Sequence, residues 1–158
     1  MPHRATTGCH DEQMTAPGNP VFSKLSLVVS DLSASLAFYR RLGLTVAATP
    51  DSVHASAQPP GGFLLEWDTA EFAAVWDSGS RGAIGGSAVL GFAVNSRSAV
   101  DDLYADLTSA GYRGRQRPYD ASWGARYGMV DDPDGNGVGL MSPVDDEHKH
   151  WPPQQAPA

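Results

Sequence analysis

The stretch LSLVVSDLSASLAFYRRLGL, Leu25 to Leu44, returns in degenerate form from Leu90 as LGFAVNSRSAVDDLYADLTSAGY. Val29 and Val94, Tyr39 and Tyr104, and Leu42 and Leu107 superpose at one constant offset, and after extra residues in the second copy Gly43 corresponds to Gly111. A repeat of this length inside a chain of 158 residues reads as two half-size modules sharing one core, because neither half buries enough surface to stand alone.

Each copy opens as a short apolar run suited to a buried strand and then changes to helical spacing. In the second copy Val100, Leu103, Tyr104 and Leu107 fall at i, i+3, i+4 and i+7, which gives one apolar face to lie on a sheet. Ser98 is the expected cap there and Gly111 the terminator; the first copy offers Asp31 or Ser33 as cap, a stripe from Leu32 to Leu42, and Gly43 as terminator. Tyr39 and Tyr104 are expected in the core.

In chain order, residues 1–20 lack any period and read as a flexible tail, so a metal gathered by His3, Cys9, His10, Asp11 and Glu12 is disfavoured by its ordering entropy. Module one, 21–68, is predicted to run as strand Lys24–Val29, helix, a β piece at Leu44–Ala48, a turn at Pro50-Asp51-Ser52, strand Val53–Gln58, a turn at Pro59-Pro60-Gly61-Gly62 and strand Phe63–Trp67. A linker follows at 69–87, with Phe72, Ala73, Val75 and Trp76 as an anchored piece and a Gly/Ser-rich end. Module two, 88–143, repeats the order with strands Tyr112–Tyr119, Trp123–Val130 and Val138–Met141. Asp132-Pro133-Asp134-Gly135-Asn136-Gly137 is a tight-turn signal that closes the last two into a hairpin. Residues 144–158 read as a polar, proline-rich tail in which only Trp151 could pack back. The fold class is α+β, two βαβββ modules.

Eleven basic against eighteen acidic residues give a formal charge of -7, which argues against a nucleic-acid partner, whose phosphates demand a basic surface. The single cysteine makes no internal disulfide, and no apolar run approaches a membrane span or signal peptide, so the expected setting is cytoplasmic.

With VVSDLSASLAFYRRLGL in one module and WGARYGMVDDPDGNGVGLM in the other, the chain resembles the glyoxalase / bleomycin-resistance / extradiol-dioxygenase superfamily, or vicinal oxygen chelate (VOC) superfamily, over about residues 22–143. The resemblance implies that each module curls into a half-barrel whose concave face binds ligand, and that the protein is a homodimer with a pocket built across subunits. Metal-dependent members carry ligands at positions that fall here on Lys24, about Val89, Gly139 and near Leu65 or Glu66. An ammonium, an isopropyl group and a hydrogen are not metal donors, and one carboxylate alone does not hold a divalent ion. The expectation is therefore a metal-free protein, without cofactor, that binds a small organic molecule, on the pattern of the members that sequester an aromatic or cationic antibiotic. The alternative is a glyoxalase-like metal-dependent lyase, isomerase or dioxygenase using Glu66 and His54; a third reading is a metal-free enzyme with Glu66 as general base.

The pocket candidates follow from the resemblance and from strand alternation. Trp123 offers a flat indole for stacking or else fills core. Arg126 binds a ligand carboxylate or carbonyl, or pairs with a surface acid; if Trp123 faces inward, alternation sends Arg126 outward unless a bulge follows Gly124. Glu66, set among Phe63, Leu64, Leu65 and Trp67, needs a partner or cavity water. His54, Trp67, Phe92, Tyr119 and Met141 complete the set, each with a purely structural alternative.

Overall fold

The computed structural model describes residues 22–86 and 88–150. Along the chain run β1 (Lys24–Val29), α1 (Leu32–Arg41), β2 (His54–Ala57), β3 (Leu64–Thr69), α2 (Ala70–Trp76), β4 (Val89–Ala93), α3 (Arg97–Ser109), β5 (Gly114–Asp120), β6 (Arg126–Asp131) and β7 (Gly137–Met141). Two open sheets result, ordered β1-β3-β2 and β4-β7-β6-β5. In each, the first strand lies parallel to the last strand of its module and the intervening pairs are antiparallel. The expected repeat is thus present as matching connectivity, with one strand fewer in the first module.

That missing strand is Leu44–Ala48, which is irregular. The Arg40 guanidinium donates to the Val46 carbonyl from Nε at 3.2 Å and Nη2 at 2.7 Å, so a side chain takes an acceptor that a ladder would have used. Three further expectations are corrected. Ser96, not Ser98, caps α3, its hydroxyl accepting from the Ala99 amide at 3.1 Å. The linker holds a helix, α2, capped by Thr69; Ala73 is its buried anchor, whereas Val75 and Trp76 are exposed. Residues 144–150 are not a loose tail: Asp145 caps one turn of 3₁₀ helix at Asp146–His148, Lys149 bridges to Trp123, and the His150 amide donates to the Ser122 carbonyl at 3.0 Å. The candidates in residues 1–20, and Trp151, lie outside the described residues.

Asp31 caps α1 through the Ala34 amide, and Gly43 and Gly111, at φ of 90° and 95°, end the two module helices in the left-handed conformation that costs glycine little. Strand alternation then sorts the sheets. Leu27, Leu65, Trp67, Ala55 and Ala57 face inward to meet Leu36, Phe38 and Tyr39 of α1, and the same cluster takes in Leu90, Val130, Val138 and Leu140 of the second sheet with Val100 and Leu107 of α3. One core therefore serves both modules. Trp67 shows how burial decides: its Nε1–H has no hydrogen-bond partner among the described residues. That omission costs about 1–3 kcal/mol, less than the roughly 4–6 kcal/mol gained by removing some 150–250 Å² of indole from water.

Polar latches join the modules above this core. The hairpin turn reaches the first module, Asp134 Oδ1 accepting from the Ser30 amide at 3.1 Å and its hydroxyl at 2.6 Å. Buried Asp132 accepts from the Asp134 and Asn136 amides and the Asn136 side chain, and its last lone pair takes the Tyr39 hydroxyl at 2.9 Å.

Candidate ligand-binding site

The face of the first sheet turned away from the core is polar. Pairing sets Ser26 beside Glu66, Ser56 beside Glu66, and His54 beside Asp68. Glu66 Oε2 accepts from the Lys24 ammonium at 2.8 Å and the Ser26 hydroxyl at 2.9 Å. The hydrogen bond from Lys24 is the chief reason its carboxyl lies below the ordinary value, against an opposing push from burial. An ionised, doubly bonded carboxylate is a poor proton acceptor, which weighs against Glu66 as general base. His54 Nδ1 lies 2.6 Å from Asp68 Oδ1.

The corresponding face of the second sheet is aromatic. Tyr119, Trp123 and Tyr127 meet edge to face, with centroids 6.4 Å apart for Tyr119–Trp123, 6.3 Å for Tyr119–Tyr127 and 5.5 Å for Trp123–Tyr127. Register places Met141 beside Tyr127, and Gly139 between Met129 and Gly91. A Cβ on Gly139 would stand 2.6 Å from the Tyr127 hydroxyl, so the phenol lies over this glycine; a Cβ on Gly91 would meet nothing within 4 Å among the described residues. Burial, then the neighbouring Tyr119, raise the Tyr127 hydroxyl above its usual range while Arg115 pulls the other way. Arg115 itself is tied to buried Asp131, Nε to Oδ1 at 2.6 Å.

These strands sort the sequence candidates. Trp123, Tyr119 and Met141 share the aromatic face, and His54 and Glu66 share the polar one. Trp67, expected as a lining residue, is fully buried in the core because its neighbours Glu66 and Asp68 take the other face. Arg126 is also displaced: it turns toward α3, its Nη2 2.7 Å from Asp101 Oδ1 and its Nη1 3.1 Å from Asp120 Oδ1. Adjacent residues of β6 alternate, so Arg126 and Tyr127 are on opposite sides, while Trp123 lies in the turn before the strand, where Gly124 has a φ of 93°. Phe92 points to the core side, 6.4 Å from Tyr39, where it lines an apolar cavity of about 480 Å³ with Leu25, Leu44, Phe63 and Leu65. The sequence reading sets Tyr127 on the same side as Trp123 by alternation but does not count it among the lining residues. Asp68 needed the strand register, and Arg115 carried no signal.

A family model described as Glyoxalase/Bleomycin resistance protein/Dioxygenase superfamily matches residues 21–140. The chain belongs to this superfamily. Solved structures similar to this superfamily member include a glyoxalase/bleomycin resistance protein/dioxygenase from Nocardioides, 24% identical over 90% of this chain and 94% of that one, TM-score 0.66. A glyoxalase-related enzyme from Fulvimarina pelagi is 23% identical over 87% and 99%, TM-score 0.67. A lactoylglutathione lyase from Agrobacterium tumefaciens is 20% identical over 80% and 96%, TM-score 0.60. At such identities the likeness establishes the VOC fold. Among curated proteins none matches the chain.

The metal positions that the superfamily implies can be tested on the side chains present. Lys24 holds Glu66 in an ion pair, Val89 is an exposed aliphatic, and Gly139 has no side chain and is covered by Tyr127. Among the described residues no three His, Cys, Asp or Glu are grouped to hold an ion. This donor set does not fit a divalent metal. Nor is any helix among the described residues long and apolar enough to cross a membrane.

Proposed function

We propose that this VOC protein binds a small, planar organic molecule without the help of a metal ion, and that it acts by holding that molecule. The carrying observation is the Tyr119–Trp123–Tyr127 wall beside a glycine, Gly139, where the superfamily's metal-dependent members place a carboxylate. Three rings fixed by mutual packing offer stacking surface at little entropic cost, and their electron-rich faces favour a cationic or electron-poor ligand. The formal charge of -7 favours the same sign of ligand, so an aromatic or cationic antibiotic, sequestered in the manner of bleomycin-resistance proteins, is the finer reading.

The polar face carrying Glu66 and His54 belongs to module one and the aromatic wall to module two, and both are open. A homodimer in which one subunit's polar face closes over the other's aromatic face would enclose a ligand, consistent with the cross-subunit pockets that the family resemblance implies. Titration of the purified protein with planar cationic compounds is expected to quench tryptophan fluorescence saturably, and Trp123→Ala to remove most of that response. Near-stoichiometric zinc, nickel, manganese or iron on the purified chain would overturn the reading in favour of a metal-dependent lyase, isomerase or dioxygenase.

A further inference from the structure

We propose that His54 and Asp68 form a proton-accepting dyad on the polar face of the first sheet, able to act as general base toward a bound weak acid. The two residues are directly opposed across the β2–β3 pair, and the imidazole Nδ1 lies 2.6 Å from Asp68 Oδ1. Their environments differ sharply: the Asp68 side chain is 3% exposed and that of His54 is 40% exposed. A carboxylate so deeply placed is costly unless it has a donor, and His54 is the only side chain found bonded to it among the described residues. That requirement fixes the tautomer. Nδ1 carries the proton toward Asp68, and Nε2 keeps its lone pair on the exposed side of the ring.

Phe72 of α2 stands 5.7 Å from the imidazole, and the bond to Asp68 sets the direction of the lone pair. Glu66 and Lys24 lie on the same face and are already satisfied by one another, so neither competes for the Asp68 oxygen. The arrangement has the two parts that general-base catalysis needs, an accessible acceptor and a buried group that stabilises the imidazolium once formed. The step moves one proton. An O–H or N–H bond of the bound molecule breaks, its electron pair stays on the heteroatom, and a new N–H bond forms at Nε2; no oxidant or co-reactant enters. This goes beyond binding, because the aromatic wall on the second sheet could hold a ligand with or without it.

The chain supplies its own control. His148 is similarly exposed at 46% and also bonds a carboxylate, Asp145, but that carboxylate is itself 46% exposed. Acylation by diethyl pyrocarbonate at one fixed pH, resolved by peptide mass spectrometry, is expected to modify His54 at least about threefold faster than His148, since buried Asp68 holds the His54 ring with Nε2 bare and outward while the half-exposed Asp145 orients His148 less firmly. Nitrogen-15 NMR should show His54 protonated at Nδ1 and bare at Nε2. Equal or slower reaction of His54, or the opposite tautomer, overturns the dyad. Both measurements use the unmodified sequence, so they stand even where Asp68→Asn fails to fold; where it folds, the rate advantage of His54 should vanish. Failure here with intact Trp123 quenching would remove the base and leave the binding site.

Discussion

The Tyr39 hydroxyl donates to the Asp132 carboxylate at 2.9 Å, a buried bond between residues 93 positions apart in the chain. Tyr39→Phe removes the donor and leaves a buried carboxylate one partner short. The expected loss is about 1–3 kcal/mol, read as a lower urea midpoint with an unchanged slope.

The same bond gives stability a pH dependence at the alkaline end. Burial, followed by the charge of Asp132, raises the folded-state Tyr39 pKa far above the ordinary value near 10. Below that value both states hold the proton and no penalty applies. Above it the unfolded chain releases the proton and the folded chain does not, so stability falls as pH rises. This alkaline slope should be shallower in Tyr39→Phe; identical slopes would mean that Tyr39 ionises freely when folded.

At the acid end the Glu66 carboxyl is held below its usual range, first by Lys24. Its contribution is complete above the unfolded value of about 4.3 and is lost as pH falls through the folded value. Lys24→Met removes the main cause. Unfolding free energies measured from about pH 5 downward should therefore fall less steeply in the variant than in the parent, and parallel curves would show that the ion pair has no energetic weight.

Gly139→Ala puts a Cβ 2.6 Å from the Tyr127 hydroxyl and 3.1 Å from two ring carbons. The ring must move, and overpacking of this kind costs about 1–3 kcal/mol. Because Tyr127 touches Trp123, the variant should also shift tryptophan emission and weaken ligand quenching. An unaltered spectrum would show that the aromatic trio is not coupled to this glycine.

Arg126→Gln separates positioning from binding. Its partners Asp101 and Asp120 are about half exposed, so the loss of stability should be near 1 kcal/mol. Ligand quenching is expected to persist, as the side chain stands behind the sheet from Trp123; a large loss of affinity would place it in the pocket after all.

What could be read from residues alone follows from where the relevant forces are local. β1 runs from Lys24 to Val29 as anticipated, since alternating burial is written in its own side chains. The Asp132–Asn136 hairpin likewise declares itself through residues suited to its turn. Leu44–Ala48 has strand-like composition and is irregular because Arg40, an α1 residue, claims the Val46 carbonyl. Residues 144–150 have the composition of a solvated tail, and backbone bonds to the Trp123 loop, which composition does not encode, order them. The candidate site divides the same way. Alternation along β6 separates Tyr127 from Arg126, whereas finding Asp68 beneath His54 requires knowing which residue of β2 lies against which residue of β3.

The connection between the modules is pinned near its far end. A side chain on Gly85 would collide with the Asp134 carbonyl, and the Gly86 amide donates to Asn136 Oδ1 at 3.4 Å. The tether thus divides into a span from Trp76 to Gly85 and a short lead into β4. Extra residues grafted into the first span would loop out at small entropic expense, since closure grows only slowly with length. The same graft after Gly86 would push Val89 out of step with Gly137 and turn the strand's faces over. Engineered insertions, and any tag carried internally, belong ahead of Gly85.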